Sequence, residues 1–415
     1  VSSDATPEPY PQPLPFGQRM QLLRTRRGMS RPVLAGLVGM SPSWVKQIEQ
    51  GTLQTPKLPV ILRIAEALRV RDLSELTGDQ SMPTALFIGP GHARLPAVAA
   101  VINAYPLGPG DREAPPPAHL HARLESAWAA RHSAPNHRDV IGQLLPSLIR
   151  DAQLAVRQAD SAAQRRAAQA ALAETYSLSQ FFLAYQPDSA MLWRVAERGM
   201  VAAQESEDPH AIGVAAWLMA QAHRDAAHLD AADMVTMETL RYLEPLLPDA
   251  DVKVRAITGA LRFEAGHTAA RRGDTGNAWA FWDKAGAIAK KLPADYYHPV
   301  TSFSRAVMGA HAVTVAVELH AGGESVRQAA RADAMTIRSR PRRARHRIEE
   351  ARGYQLDGQP EVALAMLDKA FAAAPETIRY SGYGRRIVLE ETEAKSPGRR
   401  RRAAELAVRL GMLTA

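Results

Sequence analysis

No cysteine occurs anywhere in the 415 residues, which excludes disulfides, thiolate zinc sites, iron–sulfur clusters and thiol redox switches. Lysine is scarce as well. Only 8 of the 51 basic residues are lysine and the rest are arginine, a bias that fits high-GC coding more simply than selection for guanidinium chemistry. No run approaches the roughly 20 uninterrupted apolar residues of a membrane-spanning helix, and the first residues lack the charged-then-apolar pattern of a signal segment. The expected location is the cytoplasm, with no membrane partner. Catalytic signatures are missing too: there is no HExxH, no GxSxG and no persuasive pair of carboxylates. Gly108-Pro109-Gly110 and Gly322-Gly323 lack the Lys-Ser/Thr that would complete a phosphate loop, and read as turns. His119, His121 and Glu125 lie close together but follow a triple proline and lack a fourth ligand. No enzyme activity, no metal and no cofactor are expected.

What is present is abundant apolar material, 46% of residues, enough for a sizeable core, and a formal net charge of +8 with a pI of about 9.8. That charge favours a polyanionic partner but also fits many ordinary proteins. Prolines at 7, 9, 11, 13 and 15 exclude a helix from residues 1–15, which read as a disordered lead-in. Residues 16–78 break into short helical periods. Residues 79–118, with Gly89-Pro90-Gly91, Gly108-Pro109-Gly110 and Pro115-Pro116-Pro117, read as a linker holding one short helix near Arg94 to Ala104. Residues 119–415 are Ala- and Leu-rich with helical periodicity and no strand alternation, so the fold class is all-α.

Five short helices are predicted in residues 16–78. Phe16, Met20 and Leu23 form the first apolar stripe. Ser30 caps a second helix, Pro32 sits where a missing N–H costs least, Leu34, Ala35 and Val38 face inward, and Gly39 ends it. Ser41 then caps a third helix that Pro42 opens, Val45 and Ile48 anchor, and Gly51 closes. This spacing, with Ile48-Glu49, the run Leu62 to Leu68 and Leu73-Ser74-Glu75-Leu76, resembles the phage-repressor-like (XRE) family of helix-turn-helix domains. The resemblance implies that the third helix enters the major groove of double-stranded DNA. Ser43 and Gln47 would then face the bases, flanked by Pro42, Lys46 and Gln50, with Gln47 suited to an adenine edge. Arg31 would contact phosphate, though the family usually has glutamine there. Trp44 either packs on the domain surface or touches a thymine methyl.

The long second segment repeats itself. With Gly273 laid on Gly358, Asp283-Lys284-Ala285 falls on Asp368-Lys369-Ala370, and Ala278 falls on Ala363. A small residue seven before the turn lets two antiparallel helices approach, and the small and large residues after it form the packing seam. Fainter turns near Pro187, Ala227 and Ala321 bring the total to five helix-hairpin units, a solenoid. Gly266, Gly273-Asp274, Ala278, Trp282 and Ala285, with Tyr354, Gly358, Ala363, Ala370 and Pro375, resemble the tetratricopeptide repeat. The combined architecture resembles a large actinobacterial group of regulators and, more distantly, peptide-responsive regulators. That resemblance implies a transcription regulator, a homodimer held by the solenoid, and a peptide or small-molecule effector. The alternative is a DNA-tethered scaffold whose repeats grip a protein partner. An inner surface lined by the first helix of each unit is expected to present Phe181, Trp217, Gln221, Arg224, His267, His311, Glu318 and Arg352. The arginine clusters 338–347 and 399–402 read as solvated helix faces, with auxiliary phosphate contact as the alternative.

Overall fold

The computed structural model describes residues 14–56, 58–70, 72–78, 91–105, 112–186 and 188–412. Residues 1–13 of the expected lead-in, and residues 79–90 and 106–111 of the expected linker, lie outside them. The described residues are helical and contain no strand, and the chain divides into two units between residues 88 and 89.

The first unit holds α1 (Phe16–Arg26), α2 (Arg31–Val38), α3 (Pro42–Glu49), α4 (Leu58–Ala67) and α5 (Ser74–Thr77). Its helix ends follow from local chemistry. The Ser30 hydroxyl accepts from the Val33 N–H at 3.4 Å and the Ser41 hydroxyl from the Trp44 N–H at 3.0 Å, each satisfying an orphan donor of a first turn. Gly39, at φ 68°, turns the chain between α2 and α3. Met20, Leu34, Val38, Val45, Ile64, Leu68, Leu73 and Leu76 are buried together as one core. Gly17 sets the approach of α1 to α3: a Cβ there would stand 1.9 Å from the Ile48 carbonyl oxygen.

The second unit contains α6 (Leu95–Asn103), α7 (Pro117–Ser133), α8 (His137–Arg157), α9 (Ala162–Leu183), α10 (Ser189–Ser206), α11 (Pro209–Asp225) and α12 (Leu229–Leu243). It continues through α13 (Val252–Arg272), α14 (Thr275–Lys291), α15 (Met308–Glu318), α16 (Gly322–Arg331), α17 (Arg340–Leu356) and α18 (Pro360–Ala373), and closes with α19 (Pro375–Arg379), α20 (Gly382–Glu391) and α21 (Pro397–Arg409). Four of the expected turns separate α11/α12, α13/α14, α15/α16 and α17/α18; the turn expected near Pro187, a residue outside those described, falls between α9 and α10. Gly273 and Gly358 have φ of 80° and 76°, whereas the positive φ near Ala321 belongs to His320 at 57°. The seams are tight: within the α13/α14 hairpin a Cβ on Gly266 would meet the Ala278 carbonyl at 2.9 Å, and between successive hairpins one on Gly353 of α17 would meet the Ser325 hydroxyl of α16 at 2.6 Å. Successive first helices, α9, α11, α13, α15 and α17, pack side by side into an inner layer.

Three features correct the sequence reading. The second unit starts well before residue 119: Val98, Val101 and Ile102 of α6 are buried in its core, so this helix belongs to the packed body and not to a linker. The stack also closes on itself. α7 contacts α17, the Arg138 N–H donates to the Glu376 carboxylate at 2.5 Å, His137 Nε2 lies 3.0 Å from the Thr377 hydroxyl, and His92 Nε2 lies 3.3 Å from Glu376. Finally, residues 292–307 between α14 and α15 fold inward. His298 and Phe303 are completely buried, and the absent side chain of Gly259 gives the Phe303 ring its room.

Candidate DNA-reading face and enclosed cavity

α3 presents two faces. Val45 and Ile48 are buried, while Pro42, Ser43, Lys46, Gln47 and Gln50 are exposed, as a helix of 3.6 residues per turn requires when two anchors three apart face the core. The Gln47 carbonyl accepts from the Thr52 N–H at 2.9 Å, pinning the end of α3 and leaving the carboxamide outward. Trp44 is half-buried and packs against the core of the unit, which is the packing alternative of the two left open above.

Glu49 organises the base of this face. Its buried carboxylate accepts from Arg24 Nε at 2.5 Å, from a second Arg24 nitrogen at 3.2 Å and from Arg31 Nε at 2.6 Å. Arg24 also donates to the Met29 carbonyl at 2.6 Å, tying the α1–α2 turn to the C-terminus of α3. Arg31 therefore has a structural partner, but its side chain stays 39% exposed, enough for its remaining donors to reach outward. Arg24, Arg31, Pro32, Pro42, Ser43 and Lys46 surround an open hollow of about 540 Å³ between the starts of α2 and α3. Arg24 was not singled out from sequence. It is one basic residue among four between positions 19 and 27, and only its reach to Glu49, 25 residues on, distinguishes it.

The second unit contains a recessed, partly open cavity of about 200 Å³ lined by the first helices of its hairpins. Phe181, Trp217, Gln221, Arg224, His267 and His311 all line it. Glu318 and Arg352 do not. They form a buried ion pair of 2.8 Å beside it, in which Arg352 also reaches Glu349 at 2.6 Å and Glu318 reaches Arg271 at 3.0 Å. The two guanidinium groups hold the Glu318 carboxyl well below its ordinary range against the opposing effect of burial.

Residues not singled out for this surface complete the lining: Arg131 and Arg138 from the N-terminal helices, Phe263 and Glu264 from α13, Val300 to Phe303 from the inward loop, and Arg342, Arg345 and Glu349 from α17. The expectation of a solvated arginine face on α17 is corrected here. Arg342 and Arg345 point to the cavity, Arg340 donates to the Ala373 carbonyl at 2.8 Å, Arg343 to the Ile337 carbonyl at 3.0 Å, and Arg347 pairs with Glu350 at 2.7 Å. Ring closure turns that face inward. The 399–402 cluster stays largely exposed, with Arg402 on Asp368 at 2.8 Å. His121 and Glu125 form a 3.4 Å surface pair on α7.

Histidines in and around the cavity are neutral for a common reason. Burial, reinforced by nearby arginines, lowers His267 and His132 to about 4 and pushes His311 and His137 well below the usual imidazole range. The His311 ring stacks on Phe263 with centroids 3.6 Å apart.

Comparison with known proteins bears first on the N-terminal unit. Residues 15–77 match a family model described as a helix-turn-helix domain. No curated relative matches the chain. Among solved structures, PlcR of Bacillus thuringiensis, determined in complex with the peptide PapR7 and DNA, has 11% identity and a TM-score of 0.33, covering 85% of this chain and 99% of that one. ComR of S. thermophilus, determined with DNA and its signalling peptide ComS, has 15% identity and a TM-score of 0.18, covering 66% and 93%. BtubC (BKLC) of P. vanneervenii has 14% identity and a TM-score of 0.35, covering 61% and 90%. At these scores the likenesses carry no functional argument. No helix among the described residues is long and apolar enough to cross a membrane.

Proposed function

We propose that this protein is a sequence-specific, DNA-binding transcription regulator of the XRE type, acting in the cytoplasm as a homodimer, with a hairpin-repeat body that senses an effector. The observation that carries the reading is the helix-turn-helix match over residues 15–77 coinciding with an α3 whose polar face is exposed opposite two buried anchors. In this reading α3 lies in the major groove. Ser43 and Gln47 read base edges, Pro42, Trp44 and Gln50 border the contact, and Lys46 and Arg31 meet phosphates beside the starts of α2 and α3, where unpaired N–H groups favour an anion. One small head makes few base contacts, so a symmetric pair on half-sites one helical turn apart supplies the needed discrimination.

Effector sensing is favoured over a scaffold role by the recessed, mixed polar and aromatic cavity, which fits a small ligand better than the broad surface a protein partner would cover. To act, the effector must bind one arrangement of the dimer more tightly than another. The test is a salt titration on a selected site and on random duplex. Gln47→Ala is expected to cost about 1–3 kcal/mol on the site alone, and Arg31→Ala to weaken both duplexes alike. Unchanged site discrimination in a Ser43→Ala/Gln47→Ala double variant would overturn the assignment of the reading face.

A further inference from the structure

We propose that the cavity of the second unit is a site for a small organic anion, a carboxylate or phosphate carried on an aromatic or apolar body. This rests on the reading of that unit as an effector sensor and names the ligand class.

The charge balance of the lining points to it. Two of its arginines have carboxylate partners: Arg224 pairs with Glu264, and Arg345 with Glu349 at 2.8 Å. Arg131, Arg138 and Arg342 form no ion pair with a carboxylate among the described residues; Glu376 and Glu349 act on Arg138 and Arg342 only from beyond contact, and with Asp225 the lining holds five arginines against three carboxylates. Arg131 lies over the Phe181 ring at 3.9 Å, is 8% exposed, and its Nε has no hydrogen-bond partner. Arg138 is 4% exposed, donates one nitrogen to the Phe182 carbonyl at 2.5 Å and likewise leaves Nε unpartnered. Among the described residues Arg342 has a hydrogen bond from its backbone N–H to the Ser339 hydroxyl but none from its guanidinium. A buried cation without a contacting counter-charge is costly in a folded protein and is retained where something else neutralises it. Burial lowers Arg131 to about 9; Tyr297 opposes the shift, and Arg138 and Arg342 push the same way as burial.

An anion placed among these three guanidinium groups would supply the missing charge and accept from their forks, the geometry that carboxylate and phosphate match. Phe181, Trp217 and Phe263 on the adjoining walls offer the apolar contact for the remainder of the ligand. About 200 Å³ lies below the roughly 300–1,000 Å³ of pockets for drug-sized ligands, which limits the occupant to a small metabolite and leaves no room for an extended peptide.

Calorimetry and thermal melting of the full chain with phenylacetate, phenyl phosphate and the neutral isostere phenylacetamide test this. At least one of the two anions is expected to bind and raise the melting temperature while the amide does neither, and the anion that binds more tightly distinguishes the carboxylate from the phosphate source. In an Arg131→Gln/Arg342→Gln variant, affinity for the anion is expected to fall about ten- to a hundredfold or more, as loss of charge-assisted hydrogen bonds dictates. The ligand-free variant should melt no lower than the parent, because it has lost an uncompensated buried charge. Arg131→Lys/Arg342→Lys, which keeps the charge without the fork, should bind with intermediate affinity. Failure of both anions to bind, equal binding of the amide, or undiminished binding by a folded Gln variant would overturn the proposal. DNA affinity of the parent chain separates this from failure of the regulator reading: a parent chain that binds DNA but neither anion refutes the cavity assignment alone.

Discussion

Adding one methyl group at Gly17 should separate the DNA-reading geometry from mere helix content. The Cβ would stand 1.9 Å from the Ile48 carbonyl oxygen, 2.9 Å from its carbon and 3.1 Å from Glu49 Cα. All three are backbone atoms of α3, so no rotamer change relieves the clash and α1 must move relative to the reading helix. Overpacking of this kind costs about 1–3 kcal/mol or more, whereas alanine in place of glycine inside a helix returns about 1 kcal/mol. Gly36, in the exposed middle of α2, has nothing within 4 Å of a built Cβ, so Gly36→Ala keeps the gain without the penalty. The same substitution should therefore destabilise the unit by up to about 2 kcal/mol or more at position 17 and stabilise it by up to about 1 kcal/mol at position 36. Amide hydrogen exchange of α1 to α3 in the full chain reads that difference locally. Gly17→Ala should also weaken binding to selected and random duplexes together, because it displaces the whole α3 face and the Glu49 anchor beside it. If Gly17→Ala matches Gly36→Ala in both exchange protection and DNA affinity, the close approach of α1 to α3 is not what holds the face.

Glu49→Gln removes the carboxylate shared by Arg24 and Arg31 and leaves a buried guanidinium unpaired, a change expected to cost about 3–5 kcal/mol; urea denaturation with parallel exchange measurements would check it, and a loss under about 1 kcal/mol would mean the pairs are peripheral. Acid should destabilise the second unit. His267 and His132 titrate near 4 when folded and near 6.5 when unfolded, so the unfolded chain binds more protons between those values. Their stabilisation is full above pH 6.5 and declines as pH falls, by about 2 kcal/mol per histidine at pH 5. Urea midpoints that stay level or rise from pH 7.5 to 5 would contradict that neutral, buried state.

Local rules made the first unit legible. Ser30 and Ser41 as caps, Pro32 and Pro42 at helix starts, Gly39 at the reversal and the Val45/Ile48 spacing each act within a turn or two of chain, so sequence alone places α2, α3 and the exposed face. The hairpin turns of the second unit were readable for the same reason, since Gly273 and Gly358 repeat a packing seam at fixed offsets. Six of the eight residues named for its inner surface share a cavity because the first helices of stacked hairpins must face one way.

Contacts between distant segments were decided only in three dimensions. Glu49 gathers Arg24 and Arg31 from 25 and 18 residues away. Glu376 reaches back to the Arg138 backbone across 238 residues and closes the stack, and that closure turns Arg342 and Arg345 from an expected solvent face into cavity lining. Periodicity records that a helix has two faces, but which face meets water depends on what the rest of the chain brings against it. For α17 it brought α7, from the other end of the repeat array.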